Sequence, residues 1–213
     1  KQGEGGWLQF CIFLSGLVVV SISTNCVLLL WPLYIKKHFN WNDGQYALIL
    51  LAVSLVSAAS MAACPKLEAK WGQTGPTVAA LILGGTCASM AFLFQWLSPL
   101  SIALHLGCML VLVACNALLE VSLLARASLC LPPALYGTSF GSMTCFVGIG
   151  SIIANLAGSR LYQASLEFPI GLGSGGAMPL MLVGLLLYLV ALTVCGISCV
   201  STRRTAAAEI SLR

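Results

Sequence analysis

Glu120 is the residue in this sequence best placed to do chemistry. It stands in the apolar run HLGCMLVLVACNALLEVSLL, and Asn116 lies one turn earlier on the same helix face. An ionised carboxylate in hydrocarbon is costly, so it must be protonated, paired or open to water. Two uses follow: an interfacial carboxylate that reaches headgroup water or a neighbouring helix, or a member of a substrate or proton pathway. A second polar group, Ser21, Ser23, Thr24 and Asn25, falls near the middle of an earlier apolar run, and Thr144, Ser151 and Asn155 fall in a later one. Interhelical hydrogen bonding accounts for any one of them at about 0.6 kcal/mol on average. Their concentration in three runs points to a shared polar interior.

Other chemistries find few residues. The histidines are His38 and His105, and there is no HExxH, GxSxG or P-loop pattern. The ten cysteines include no C-x-x-C pair; Cys195 and Cys199 share a helix face at i, i+4 with no nearby histidine to complete a metal site. They read as small apolar packing residues. We therefore expect no enzyme, no cofactor and no metal. No basic run exceeds two residues, which gives nucleic acid no footprint.

The elements that must position these side chains are set by composition. Hydrophobic residues make up 59% of the 213 and charged residues 8%, against roughly 25% charged in a soluble domain. Six runs are long enough to cross a bilayer: 9–35, 45–64, 76–96, 99–125, 138–162 and 178–200. They must be helices, because backbone groups in hydrocarbon are satisfied only within the segment and no run alternates as a barrel strand does. The expected fold is an all-α, polytopic membrane protein of six transmembrane helices. Asn42 and Gln45 have capping-box spacing before the second span, and Ser98-Pro99 reads as an N-cap with proline at the first helical position of the fourth. All five tryptophans (Trp7, Trp31, Trp41, Trp71 and Trp96) fall at or just outside span ends, where an amphipathic ring anchors.

Six crossings put residues 1–8 and 201–213 on one side. Seven Lys and Arg lie on that side (Lys1, Lys66, Lys70, Arg126, Arg203, Arg204, Arg213) against three on the other (Lys36, Lys37, Arg160), so both termini are expected in the cytoplasm. The KQGEGG lead reads as a loop, no cleaved signal peptide is indicated, and the chain reads as an internal-to-C-terminal piece of a longer protein. Spans one, four and five carry the Asn and Glu residues and should face a cavity; spans three and six lack them and should face lipid. In the fifth span, Gly137, Gly141 and Gly148 lie on one side, and Gly150, Ala154 and Gly158 recur at small-xxx-small spacing on the opposite side.

Two loops carry a resemblance. PKLEAKWGQ at 65–73 resembles the second copy of the basic-glycine loop motif of the major facilitator superfamily, with Lys70 at its basic position and Gly72 at its glycine. Glu68 is displaced from the motif's acidic position, and Gln73 replaces a further charge. LPPALYGTSFG at 131–141, running into GIGSIIANLAGSRLY at 148–162, looks like the stretch that enters and crosses helix eleven, and FNWNDGQYAL at 39–48 looks like the outer approach to helix eight. The resemblance covers the chain as helices seven to twelve, one half of a twelve-helix transporter fold, with drug-proton antiporters and tetracycline-efflux-like proteins nearest. It implies alternating access to a cavity between two six-helix halves, a missing N-terminal half as partner, and residues 1–8 as the inter-half loop. A small solute would sit near Asn25, Asn116, Glu120, Thr144 and Asn155, with Glu120 the local candidate for proton coupling and Lys66, Lys70 and Gly72 in a gating loop. The alternative is a non-transporting membrane scaffold or sensor; a channel has no filter-like loop or acidic ring behind it.

Overall fold

The computed structural model describes residues 2–72, 74–93, 101–130 and 132–167, with Leu186 and Leu189 beyond them. These form five helices: α1 (Gln2–Phe39), α2 (Asp43–Trp71), α3 (Thr74–Leu93), α4 (Ser101–Leu129) and α5 (Tyr136–Glu167), the last entered through a 3-10 turn at Pro133–Leu135. Spans one to five are thus helical over their described residues. Most of the sixth span, Ser98-Pro99 and Trp96 lie outside the described residues.

The helices overrun the expected boundaries. α1 begins at Gln2, so the lead expected as a loop forms its first turns; once nucleated, each added residue gains a hydrogen bond. α2 passes through Pro65 to Trp71 rather than ending at Cys64. Proline there deletes one backbone bond, a loss tolerated near a span end where other partners are at hand. The start of α2 is closed as its sequence indicates: Gln45 N donates to Asn42 Oδ1 at 2.8 Å and Asn42 N donates to Gln45 Oε1 at 3.1 Å. Its end is Gly72, whose φ of 74° is cheap only for glycine.

Side-chain contacts fix the helix directions. Ser21 meets Val147 and Asn25 meets Ser151, both 126 residues apart, so α1 and α5 run parallel. Cys64 meets Leu118 and Glu68 meets Ser122, both 54 apart, so α2 and α4 run parallel. Position falls along α4 as it rises along α1, from Ser23–Asn116 to Trp31–His105, so these two are antiparallel. The directions alternate along the chain, as successive crossings require.

α1 and α4 form the centre, with Leu17 and Val20 from one and Leu112, Leu119 and Leu123 from the other fully buried. α3 and α2 pack on α4, and α5 packs on α1. The outer faces carry Leu48, Leu51 and Leu55 of α2, Ile82 and Leu83 of α3, and Ile152 and Leu156 of α5, all exposed. A soluble monomer seldom leaves so much apolar surface bare. Among the described residues, four stretches are long and apolar enough to span a bilayer: Trp7–Leu33, Asp43–Trp71, Ile102–Leu129 and Pro133–Ala164; the apolar stretch of α3 is shorter. Trp7 and Trp71 are exposed at helix ends as anchors should be. Trp31 is not an anchor: it is buried, 2% exposed, and bonded to α4.

Candidate functional site

The polar residues of α1 and α4 meet where the two helices cross. Asn116 is 3% exposed and Ser23 1%; Asn116 Nδ2 donates to Ser23 Oγ at 2.8 Å, and the hydroxyl lies 3.2 Å from Asn116 Oδ1. This pair locks the register of the crossing. Asn25 ties α1 to α5. Its Nδ2 donates to the Ser21 carbonyl at 2.8 Å, and its Oδ1 accepts from Ser151 Oγ at 3.1 Å. Ser21 Oγ donates to the Val147 carbonyl at 2.7 Å, one turn below.

Close approach makes those bonds possible. A Cβ on Gly150 would lie 2.7 Å from both Ser21 Cβ and the Val18 carbonyl oxygen, so only glycine fits. Gly150, Ala154 and Gly158 are buried, whereas Gly137, Gly141 and Gly148 are exposed. This contact also sets the rotation of α5 and turns two expected cavity residues away from α1. Thr144 and Asn155 sit roughly 120–140° around the axis from Gly150, and both are exposed. Thr144 Oγ1 donates to the Phe140 carbonyl of its own helix at 3.0 Å. Neither joins the Asn25–Asn116–Glu120 group.

Glu120 is half-buried and stands between two cavities. The larger, about 90 Å³, lies among α1, α2 and α4 and is mostly apolar, with Val27, Val53, Met61 and Val113 beside Thr24, Ser57 and Asn116. The smaller, about 60 Å³, lies between α1, α4 and α5 and is lined by Leu17, Val20, Ser21, Thr24, Asn25 and Val147 as well as Glu120. Thr24 and Glu120 line both. Most hydroxyls in these helices donate to a carbonyl one turn back, as Ser54, Ser60 and Thr86 do. The Thr24 hydroxyl is buried and has no partner among the described residues. Its sequence gave no sign of this, since a Thr in a helix ordinarily closes on its own backbone.

A second polar group forms at the other end of α4. Ser122 Oγ donates to Glu68 Oε1 at 2.7 Å and lies 2.9 Å from Thr77 Oγ1, joining α2, α3 and α4. Arg126, expected in a loop, lies in the last turn of α4, with Nε and Nη2 buried and without a hydrogen-bond partner among the described residues. Lys66 and Lys70 of the expected gating loop are exposed on α2, and Glu68 is the loop residue that reaches the core. The hydrogen bond of Trp31 Nε1 to His105 Nε2, 2.9 Å and fully buried, was also not foreseen. It requires His105 to present an unprotonated Nε2. The eight described cysteines are free; Cys26, Cys64, Cys87 and Cys115 are buried in helix contacts, and burial pushes the thiol of Cys130, just past α4, above its ordinary range. Among the described residues no group of three or more His, Cys, Asp or Glu could hold a metal.

No protein-family model, curated protein or solved structure matches the chain. The class is defined by the helices themselves: an all-α protein of several long apolar helices, suited to a multi-pass place in a membrane.

Proposed function

We propose that the chain is the C-terminal half of a secondary active transporter of the major facilitator type, moving a small solute by alternating access with both termini in the cytoplasm. The carrying observation is the pair of cavities that meet at Glu120, a half-buried carboxylate within a membrane-spanning stretch. Intramembrane carboxylates facing a cavity mark ion and substrate pathways by default.

The helix pairing supports the reading. Taking α1–α3 and the helices from α4 onward as two triplets, the first helix of each packs parallel on the second of the other: α1 on α5, and α4 on α2. Internal repeats of this kind are common among transporters, with sites at the repeat interface. The open face of α5 carries Gly137, Gly141, Thr144, Gly148 and Asn155 beside Ile152, more small and polar residues than contact with lipid favours. In this proposal the N-terminal six-helix half covers it, which gives Thr144 and Asn155 a place on the far wall of the cavity. No covalent chemistry or cofactor is needed.

Glu120→Gln tests the proposal. The complete transporter in sealed vesicles should lose proton-coupled uptake with the variant while keeping its fold, since Gln fills the same space. Unchanged coupled flux would remove Glu120 from the mechanism.

A further inference from the structure

We infer that the smaller cavity is a binding site for a small, hard monovalent cation, sodium being the ion of matching chemistry. The inference takes Glu120 as a cavity residue from the proposed function but does not depend on transport.

Four oxygen-bearing side chains line the 60 Å³ space: Ser21, Thr24, Asn25 and Glu120. The hydrogens of Ser21 and Asn25 are directed elsewhere. Ser21 Oγ donates to the Val147 carbonyl, and Asn25 Nδ2 donates to the Ser21 carbonyl. Lone pairs remain. Ser21 Oγ accepts one longer bond, 3.3 Å from Asn25 Nδ2, and keeps a second pair; Asn25 Oδ1 accepts from Ser151 and keeps one as well. Thr24 Oγ1 is buried with no hydrogen-bond partner among the described residues. The result is a set of oxygen acceptors around one carboxylate.

Charge and size select the occupant. Among the described residues Glu120 is the only charged side chain lining either cavity, so one positive charge neutralises the site and two would overcharge it. Oxygen-only donors suit hard cations rather than soft ones. A proton on Glu120 needs one acceptor and would leave the remaining oxygens idle. At ~15 Å³ per water, the space holds an ion together with a few waters.

The test is thermal unfolding of the full-length protein in lipid nanodiscs at pH 8, with sodium chloride replacing choline chloride at constant ionic strength. A ligand that binds only the folded state raises the midpoint. Sodium should raise it saturably, Glu120→Gln should abolish the rise, and Thr24→Val should weaken the half-saturating concentration about tenfold. Because the Thr24 hydroxyl has no partner, Thr24→Val should melt no lower than the parent in choline, which separates a lost ligand from a lost fold. Ser54→Ala, exposed on α2, should keep the full response. Equal midpoints in sodium and choline, a response to pH alone, or a sodium response that survives Glu120→Gln would each overturn the inference. Loss of coupled flux in Glu120→Gln with no sodium response sinks the cation site and leaves the transport proposal standing; a sodium response without any transport does the reverse.

Discussion

Gly150→Ala adds one methyl group where α5 touches α1. That carbon would lie 2.7 Å from Ser21 Cβ and 2.7 Å from the Val18 carbonyl oxygen, against an ordinary carbon contact of about 3.5–4.0 Å. One of the two obstructions is backbone and cannot rotate away, so the helices must separate by roughly 1 Å. Overpacking of this kind costs about 1–3 kcal/mol. Separation also stretches the two bonds that flank Gly150, Ser21 to Val147 and Ser151 to Asn25, each worth about 0.6 kcal/mol in a membrane. The expected total is about 2–4 kcal/mol. Equilibrium unfolding in mixed micelles measures it, with Gly107→Ala as the control, since a Cβ there meets nothing within 4 Å. Adding Ser21→Gly to Gly150→Ala should recover part of the loss, because it removes one obstruction and leaves the other. If Gly150→Ala and Gly107→Ala unfold alike, the close crossing of α1 and α5 is wrong, and the Asn25 side of the cavity with it.

Three further outcomes follow. Asn116→Leu strands the buried Ser23 hydroxyl and should destabilise by about 1–3 kcal/mol; adding Ser23→Ala should recover most of it, and a double-mutant cycle reads the coupling. Trp31→Phe removes the donor to His105 and should cost about 1–2 kcal/mol in the same unfolding assay, whereas Trp7→Phe, exposed at the end of α1, should cost far less. Glu68→Ala leaves Ser122 without its carboxylate acceptor and removes a negative charge that acts on Arg126, so it should lower the thermal midpoint more than Lys66→Ala or Lys70→Ala, whose side chains are exposed.

Much of the fold was legible because the bilayer reduces the possibilities. Apolar runs of sufficient length had to be helices, and five of them are; the capping box at Asn42 and Gln45 closed as its spacing indicated. Boundaries were less legible. Pro65 and the glycine-rich lead both suggest helix ends, yet neither stops a helix that is already propagating. The Asn116 and Glu120 pair was readable from one-turn spacing in an apolar run. The rotation of α5 was not readable, because polarity reveals that a helix needs partners but not which way it faces; the contact at Gly150 decides that, turning Thr144 and Asn155 away from α1. Thr24, Glu68 with Ser122, and Trp31 with His105 were missed for a common reason: each acquires its meaning from a residue dozens of positions away.

In the proposed transporter, Thr24 and Glu120 line a space that water reaches from one side of the membrane and then the other. Thr24→Cys, in a chain otherwise free of cysteine and sealed in oriented vesicles, can be probed with a membrane-impermeant thiol reagent added to either side. Labelling from both sides, protected by the transported solute, is the predicted result. A thiol that reacts from neither side, or from one side only under every condition, would contradict it.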